Sequence, residues 1–167
     1  MDRHFPEKLK MLHQIAIDYE DGIDFEPYEE FVSSGQTDAW IKLWTCNQTL
    51  SGDQFLIFGQ DGSGGYAAFW LVNPDQPVLE QPVVFFGSEG EAGLIAANFY
   101  DYVWLLANGI GPFEAIAYPT LERQGKPEFA RFAQTYAHDH RGTVSAIIER
   151  AHNQYPEFDR VLDDWCA

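Results

Sequence analysis

Residues 54–109 read QFLIFGQDGSGGYAAFWLVNPDQPVLEQPVVFFGSEGEAGLIAANFYDYVWLLANG, and the fold turns on them. Two apolar runs, Gln54–Phe58 and Tyr66–Val72, flank Gly59–Gly65, which holds Asp61-Gly62 and Gly64-Gly65. Aromatic and β-branched runs joined by such glycines predict a β-hairpin. Gly59, Asp61, Gly62, Gly64 and Gly65 would form its turn, and Trp70 would sit in its second strand. Neighbouring positions in both runs are apolar, so both faces of these strands are expected to be covered. Val83–Phe86, after Pro82, predicts a third strand, and Leu94–Ala97 an extension of the sheet. Asn98 then caps a helix with Phe99, Tyr102, Val103 and Leu106 on one stripe, and Gly109 ends it.

Helical spacing recurs on either side of this core. Leu9, Leu12, Ile15 and Ala16 predict a helix over Pro6–Tyr19, stopped by Asp21-Gly22. The acidic stretch to Glu30 reads as a loop, with a short helical turn after Pro27 that turns Tyr28, Phe31 and Val32 inward. Trp40, Ile41, Leu43 and Trp44 favour a helix over Thr37–Cys46, capped at Thr37 or Asp38, although the same letters are rich in β-formers. Val78-Leu79 reads as a brief edge pairing, and Gly111, Pro112 and Pro119 as a loop. Three further helices are expected over Pro127–Ala137, Thr143–Gln154 and Phe158–Trp165. Strands grouped mid-chain between helices indicate an α+β fold, a central, largely antiparallel sheet flanked by helices. At 167 residues, without repeat or linker, the chain is expected to be one domain.

The formal net charge is −16 and the sequence pI is near 4.4. Residues 18–30, DYEDGIDFEPYEE, hold seven acids and no base, and Leu43–Glu122 holds nine acids and no Lys or Arg. From Arg123 onward, six bases nearly balance seven acids. Binding a phosphate backbone or an anionic membrane surface requires cations, so neither nucleic acid nor membrane is an expected ligand. A basic protein would be attracted and steered instead; the plain alternative is that the acidity serves solubility. The charged N-terminus lacks the apolar core of a signal peptide. Two cysteines far apart in sequence make no disulfide framework, so free thiols and a cytoplasmic location are expected.

No motif for a reaction survives its context. Gly62–Ala67 fits the dinucleotide pattern G-x-G-x-x-A, but a strand rather than a helix follows it and no cation lies nearby. Glu89 and Glu91 could be pictured as paired carboxylates, yet they flank a glycine in a turn. His138-Asp139-His140 is the only compact His/Asp group, and His4, His13 and His152 supply no ligand spacing to complete it. Cys46 has no adjacent histidine and reads as a buried structural thiol. No metal, cofactor or catalytic residue is therefore assigned. A metal-dependent enzyme built on the His138–His140 region is an alternative.

The run Phe58-Gly59-Gln60-Asp61-Gly62-Ser63-Gly64-Gly65-Tyr66 is followed by Ala68-Phe69-Trp70, then by Pro82–Glu91, and finally by Ala96–Val103 with Leu105-Leu106. This order resembles the SUKH superfamily, which includes the fungal Smi/Knr regulators and many bacterial immunity proteins. The likeness covers the middle third of the chain and rests on fold-making residues. It implies a Smi/Knr-like α+β domain that binds protein without chemistry, as an antidote to a basic, nuclease-type toxin. A regulatory or scaffold domain for cellular proteins is the alternative within the same resemblance. Charge and turn position nominate the partner-facing acids: Asp18, Glu20, Asp21, Asp24, Glu26, Glu29 and Glu30, with Asp61, Glu89 and Glu91 at the sheet edge.

Overall fold

Strand side chains alternate between faces, so a run that is apolar at every position needs cover on both sides. The structure, a computed structural model, describes all residues from Met1 to Ala167 and shows that cover. Five strands, β1 (Glu26–Pro27), β2 (Phe55–Gln60), β3 (Tyr66–Trp70), β4 (Val83–Phe86) and β5 (Ala92–Ala96), form one sheet in chain order. Every neighbouring pair is antiparallel. With seven α-helices around it, the fold is α+β.

Leu56, Phe58, Ala67, Phe69, Val83, Phe85 and Ile95 face the larger core. There they meet Leu9 and Leu12 of α1 (Glu7–Leu12), the Phe99–Leu106 stripe of α3 (Phe99–Ala107), and Phe129, Phe132 and Ala133 of α5 (Pro127–Tyr136). Phe55, Ile57, Ala68, Trp70, Val84, Phe86 and Leu94 face the other core. That side is closed by Ile41 of α2 (Ser34–Thr45) and by Phe158 and Trp165 of α7 (Phe158–Trp165). Helix α6 (Val144–Gln154) serves both cores, Val144 and Ile147 in the first and Ala151 in the second. Each of these Phe or Trp side chains is a large burial, worth roughly 1.5–3 kcal/mol over exposure.

The hairpin forms where the glycines place it. Asp61 Oδ1 accepts from the Ser63 and Gly65 amides at 3.0 and 2.7 Å, and Gly64 takes a φ of 96°, which a side chain would resist. The β2–β3 register shifts between Ile57 and Gly59, and a side chain at Gly59 would collide with the Phe25 ring. Asn98 caps α3 by accepting from the Asp101 amide at 2.9 Å, and Gly109 follows it in the left-handed region.

Several expectations need correction. The first helix is only Glu7–Leu12 rather than Pro6–Tyr19. Lys126 Nζ takes the Ala16 carbonyl at 2.6 Å, and the chain proceeds to a single 3₁₀ turn, Tyr19–Asp21, closed by Gly22. The residues at Pro27 pair with β2 instead of turning helically. Val78–Glu80 is a 3₁₀ turn and not an edge pairing. A helix, α4 (Pro112–Ala117), occupies the supposed loop after Gly109. Pro112 suits its first position, and Glu114 reaches back to accept from the Gly111 amide at 3.1 Å. Helix α2 starts earlier than expected, at Ser34, with Ser33 Oγ accepting from the Gln36 amide. Cys46, expected to be buried, is exposed at the left-handed end of α2, and both thiols are free. No helix is long and apolar enough to cross a membrane.

Candidate functional site

The sheet has one sparsely built edge, and the acidic residues gather there. Strand β1 pairs only Glu26 with Gln60 and Pro27 with Gly59. Beyond it, the Tyr28 amide donates to the Phe58 carbonyl at 2.9 Å and the Val32 amide to the Ile57 carbonyl at 3.1 Å. Four residue steps on one segment thus answer one step on the other, and residues 29–31 bow away from the sheet. The exposed Glu29 and Glu30 stand on the bow, while Phe31 turns back to pack on Phe5 and Phe69. His13 fastens the base of the bow, its Nδ1–H donating to the Tyr28 carbonyl. Burial lowers the pKa of that imidazole to about 4, so it is neutral at physiological pH.

Opposite the bow rises α2, from which Trp40 lies edge-on to Tyr66, 4.9 Å between ring centroids, and packs on Phe86. Between bow and helix runs an open groove of about 1070 Å³, lined by Tyr28, Trp40 and Tyr66 with Glu26, Glu29 and Glu30. Lys10 is its single base. The Tyr28 hydroxyl is pushed up to about 12, chiefly by burial and further by Tyr66 and Glu26, so it remains a hydrogen-bond donor.

A second hollow, of about 650 Å³, adjoins the groove and shares Glu26 with it. Asp18, Asp24 and Asp61 contribute to its wall and no Lys or Arg does. Asp24 Oδ1 accepts from the Gly62 amide at 2.8 Å, which ties the acidic segment to the hairpin turn. Asp61 is 2% exposed, and its Oδ2 is buried without a hydrogen-bond partner.

The ten acids nominated from sequence therefore divide. Glu20, Asp24, Glu26, Glu29 and Glu30 are exposed and none of the five forms an ion pair, but only Asp24, Glu26, Glu29 and Glu30 line the two hollows, Glu20 standing on the Tyr19–Asp21 turn. Asp18 and Asp21 are instead paired with Lys126, at 3.5 and 3.0 Å. Asp21 is held below its usual pKa, first by the Asp18 amide and then by Lys126. Asp61 is not a surface acid at all but the keystone of the hairpin turn. Glu91 folds over Gly87, and its Oε2 accepts from the Glu89 amide at 3.2 Å. Glu89 is exposed, but it and Glu91 lie in the β4–β5 turn, at the end of the sheet rather than its β1 edge.

The His138-Asp139-His140 segment is a single 3₁₀ turn whose two histidines part company. His138 is exposed, whereas His140 Nδ1 meets Asp101 Oδ1 at 2.9 Å. No group of three or more His, Cys, Asp or Glu side chains is placed to hold a metal ion.

Sequence reasoning missed Trp40 and Tyr66 as groove walls, because helix α2 and strands β2 and β3 meet there from separate parts of the chain. It also missed His13 and the buried Glu114. The Gly-Pro-x-Glu start of α4 was the available signal for Glu114. Burial raises that carboxyl's pKa although it accepts from the Asp24 and Gly111 amides. Compared with protein-family models, with curated proteins and with solved structures, the chain finds no match in any of the three.

Proposed function

We propose that this chain is a non-enzymatic, Smi/Knr-like protein-binding domain that acts as an antidote to a basic, nuclease-type toxin. The observation that carries the reading is the set of four carboxylates without an ion pair, Asp24, Glu26, Glu29 and Glu30, that line the hollows along one sheet edge. Exposed like charges repel one another and contribute little to a fold. Gathered around a groove, they complement a protein whose own surface is cationic because it grips phosphate. The five-stranded antiparallel sheet with its D-G-x-G turn and Asn98-capped helix agrees with the resemblance on which the antidote role depends.

Co-expression with the product of the adjacent gene tests this directly. Rescue of growth, a recovered complex, and an association rate that falls steeply with salt are expected. A growth or envelope defect on deleting the gene in a strain without any toxin would favour the regulatory-domain alternative instead.

A further inference from the structure

We infer that the two adjoining hollows along β1 form a docking track for an extended segment of the partner protein. A cationic side chain, arginine or lysine, enters the Asp24–Asp61 hollow, and an apolar neighbour rests on Trp40 and Tyr66. The inference deepens the proposed function and rests on its claim that β1 meets a basic protein.

Three observations fix the occupant. The smaller hollow is walled by Asp18, Asp24, Glu26 and Asp61, with Asp61 Oδ2 buried and unpartnered. A buried carboxylate without a donor on one oxygen keeps its full negative charge beside the hollow, and that charge attracts a cation seated there. The carboxylates are not clustered for a metal ion, so a donor-bearing cation is the fitting counterpart. Next, the adjoining groove offers the faces and edges of Tyr28, Trp40 and Tyr66 beside Glu29 and Glu30. Aromatic walls with carboxylates suit an apolar side chain followed by a second cation.

Finally, β1 is the outer strand, yet it has only two residues and one of them is Pro27. Proline offers no amide, so strand addition has little purchase and recognition falls to side chains. In an extended segment, alternate side chains on one face stand about 7 Å apart. Cation, apolar residue and cation can therefore occupy successive positions on that face.

The test uses two fluorescein-labelled peptides of equal charge, one carrying Arg and Leu in alternation and the other carrying Gly for Leu. Anisotropy titrations against the full chain should show the Leu peptide binding at least tenfold tighter than the Gly peptide. D24N and E26Q should each weaken it by roughly tenfold, a loss of about 1.4 kcal/mol. E89Q, in the β4–β5 turn and outside both hollows, should leave it unchanged. D61N keeps the Oδ1 acceptor of the turn and exchanges only the unpartnered oxygen, so it should fold and still bind less tightly. Trp40→Phe should retain binding that Trp40→Ala loses, and circular dichroism verifies folding of each variant.

Equal losses from every acid, Glu89 included, would overturn the track while leaving a generally acidic binding surface. The same holds if the basic toxin binds and the Leu peptide gains nothing over the Gly peptide. Failure of the toxin itself to bind would overturn the proposed function as well.

Discussion

At the junction of α3 and α6, Asp101 is fully buried, and His140 and Arg150 come to its Oδ1 at 2.9 and 3.4 Å. Along β1, the four carboxylates of Asp24, Glu26, Glu29 and Glu30 stand exposed without an ion-pair partner, and His13, which meets the Tyr28 carbonyl, is held neutral by burial. For Asp101 the chain brings side-chain partners from the His138–His140 turn and from α6, whereas the buried Asp61 and Glu114 are met by backbone amides. At the β1 edge Lys126 engages Asp18 and Asp21, whereas Asp24 and Glu26 accept only neutral donors, the Gly62 amide and the Gln60 side chain. Exposed acids without an ion pair also stand elsewhere, at Asp53, Asp75, Glu122 and Glu149, but those along β1 border a groove with aromatic walls, which suits another molecule.

Acidification breaks the contrast most strongly, through His13. In the unfolded chain this imidazole takes up its proton near pH 6.5, and in the folded chain only near 4. Between those values the unfolded state binds more protons, so stability falls as the pH is lowered. The contribution is fully present above 6.5, and about 3 kcal/mol of it is lost by the time the pH reaches 4. Asn places an amide N–H where the Nδ1–H stands but cannot titrate. Urea unfolding of wild type and H13N at pH 7 and pH 4.5 should therefore converge at the lower pH. Parallel pH profiles would show that His13 does not hold the bow in its neutral form.

Asp101→Ala comes next. It removes a buried acceptor of charged hydrogen bonds and should destabilise the fold by roughly 2–3 kcal/mol. His140→Ala and Arg150→Ala should each cost less, because both side chains are partly exposed, at 33% and 41%. A double-mutant cycle between Asp101 and Arg150 measures their coupling directly.

The smallest effect on stability is expected from Glu29→Gln with Glu30→Gln, a shift within about 0.5 kcal/mol and towards greater stability. The same pair should slow association with a basic partner, most visibly at low salt. A double variant that loses both stability and binding would place these acids with Asp101 among the structural ones.

Much of this contrast can be traced to what one dimension of sequence carries. The strands from Phe55 to Phe86, the Asp61–Gly65 turn and the Asn98 cap were legible because each is a local pattern: short continuous apolar runs, glycines at a reversal, a capping side chain. The C-terminal helices were legible from apolar periodicity, and Phe158–Trp165 lies where its spacing puts it. Strand β1 was not, since two residues, one a proline, have no periodicity and pair only because Gly59 lets Phe25 lie against β2. Nor could the composition sort the acids. Asp61 and Glu29 are both acids in glycine- or proline-flanked segments, yet one accepts the turn's amides and the other faces water. That division depends on which backbone donors the folded chain brings near, as do the groove between Tyr28 and Trp40 and the pairing of Asp101 with His140, 39 residues away.

Amide hydrogen exchange on the complex with a basic toxin domain bears most directly on the β1 edge as the binding surface. Slowed exchange is expected over residues 24–33 and 61–66, with α6 and the His138–His140 turn unchanged. Protection centred on residues 138–150, with the β1 edge exchanging as in the free protein, would contradict it.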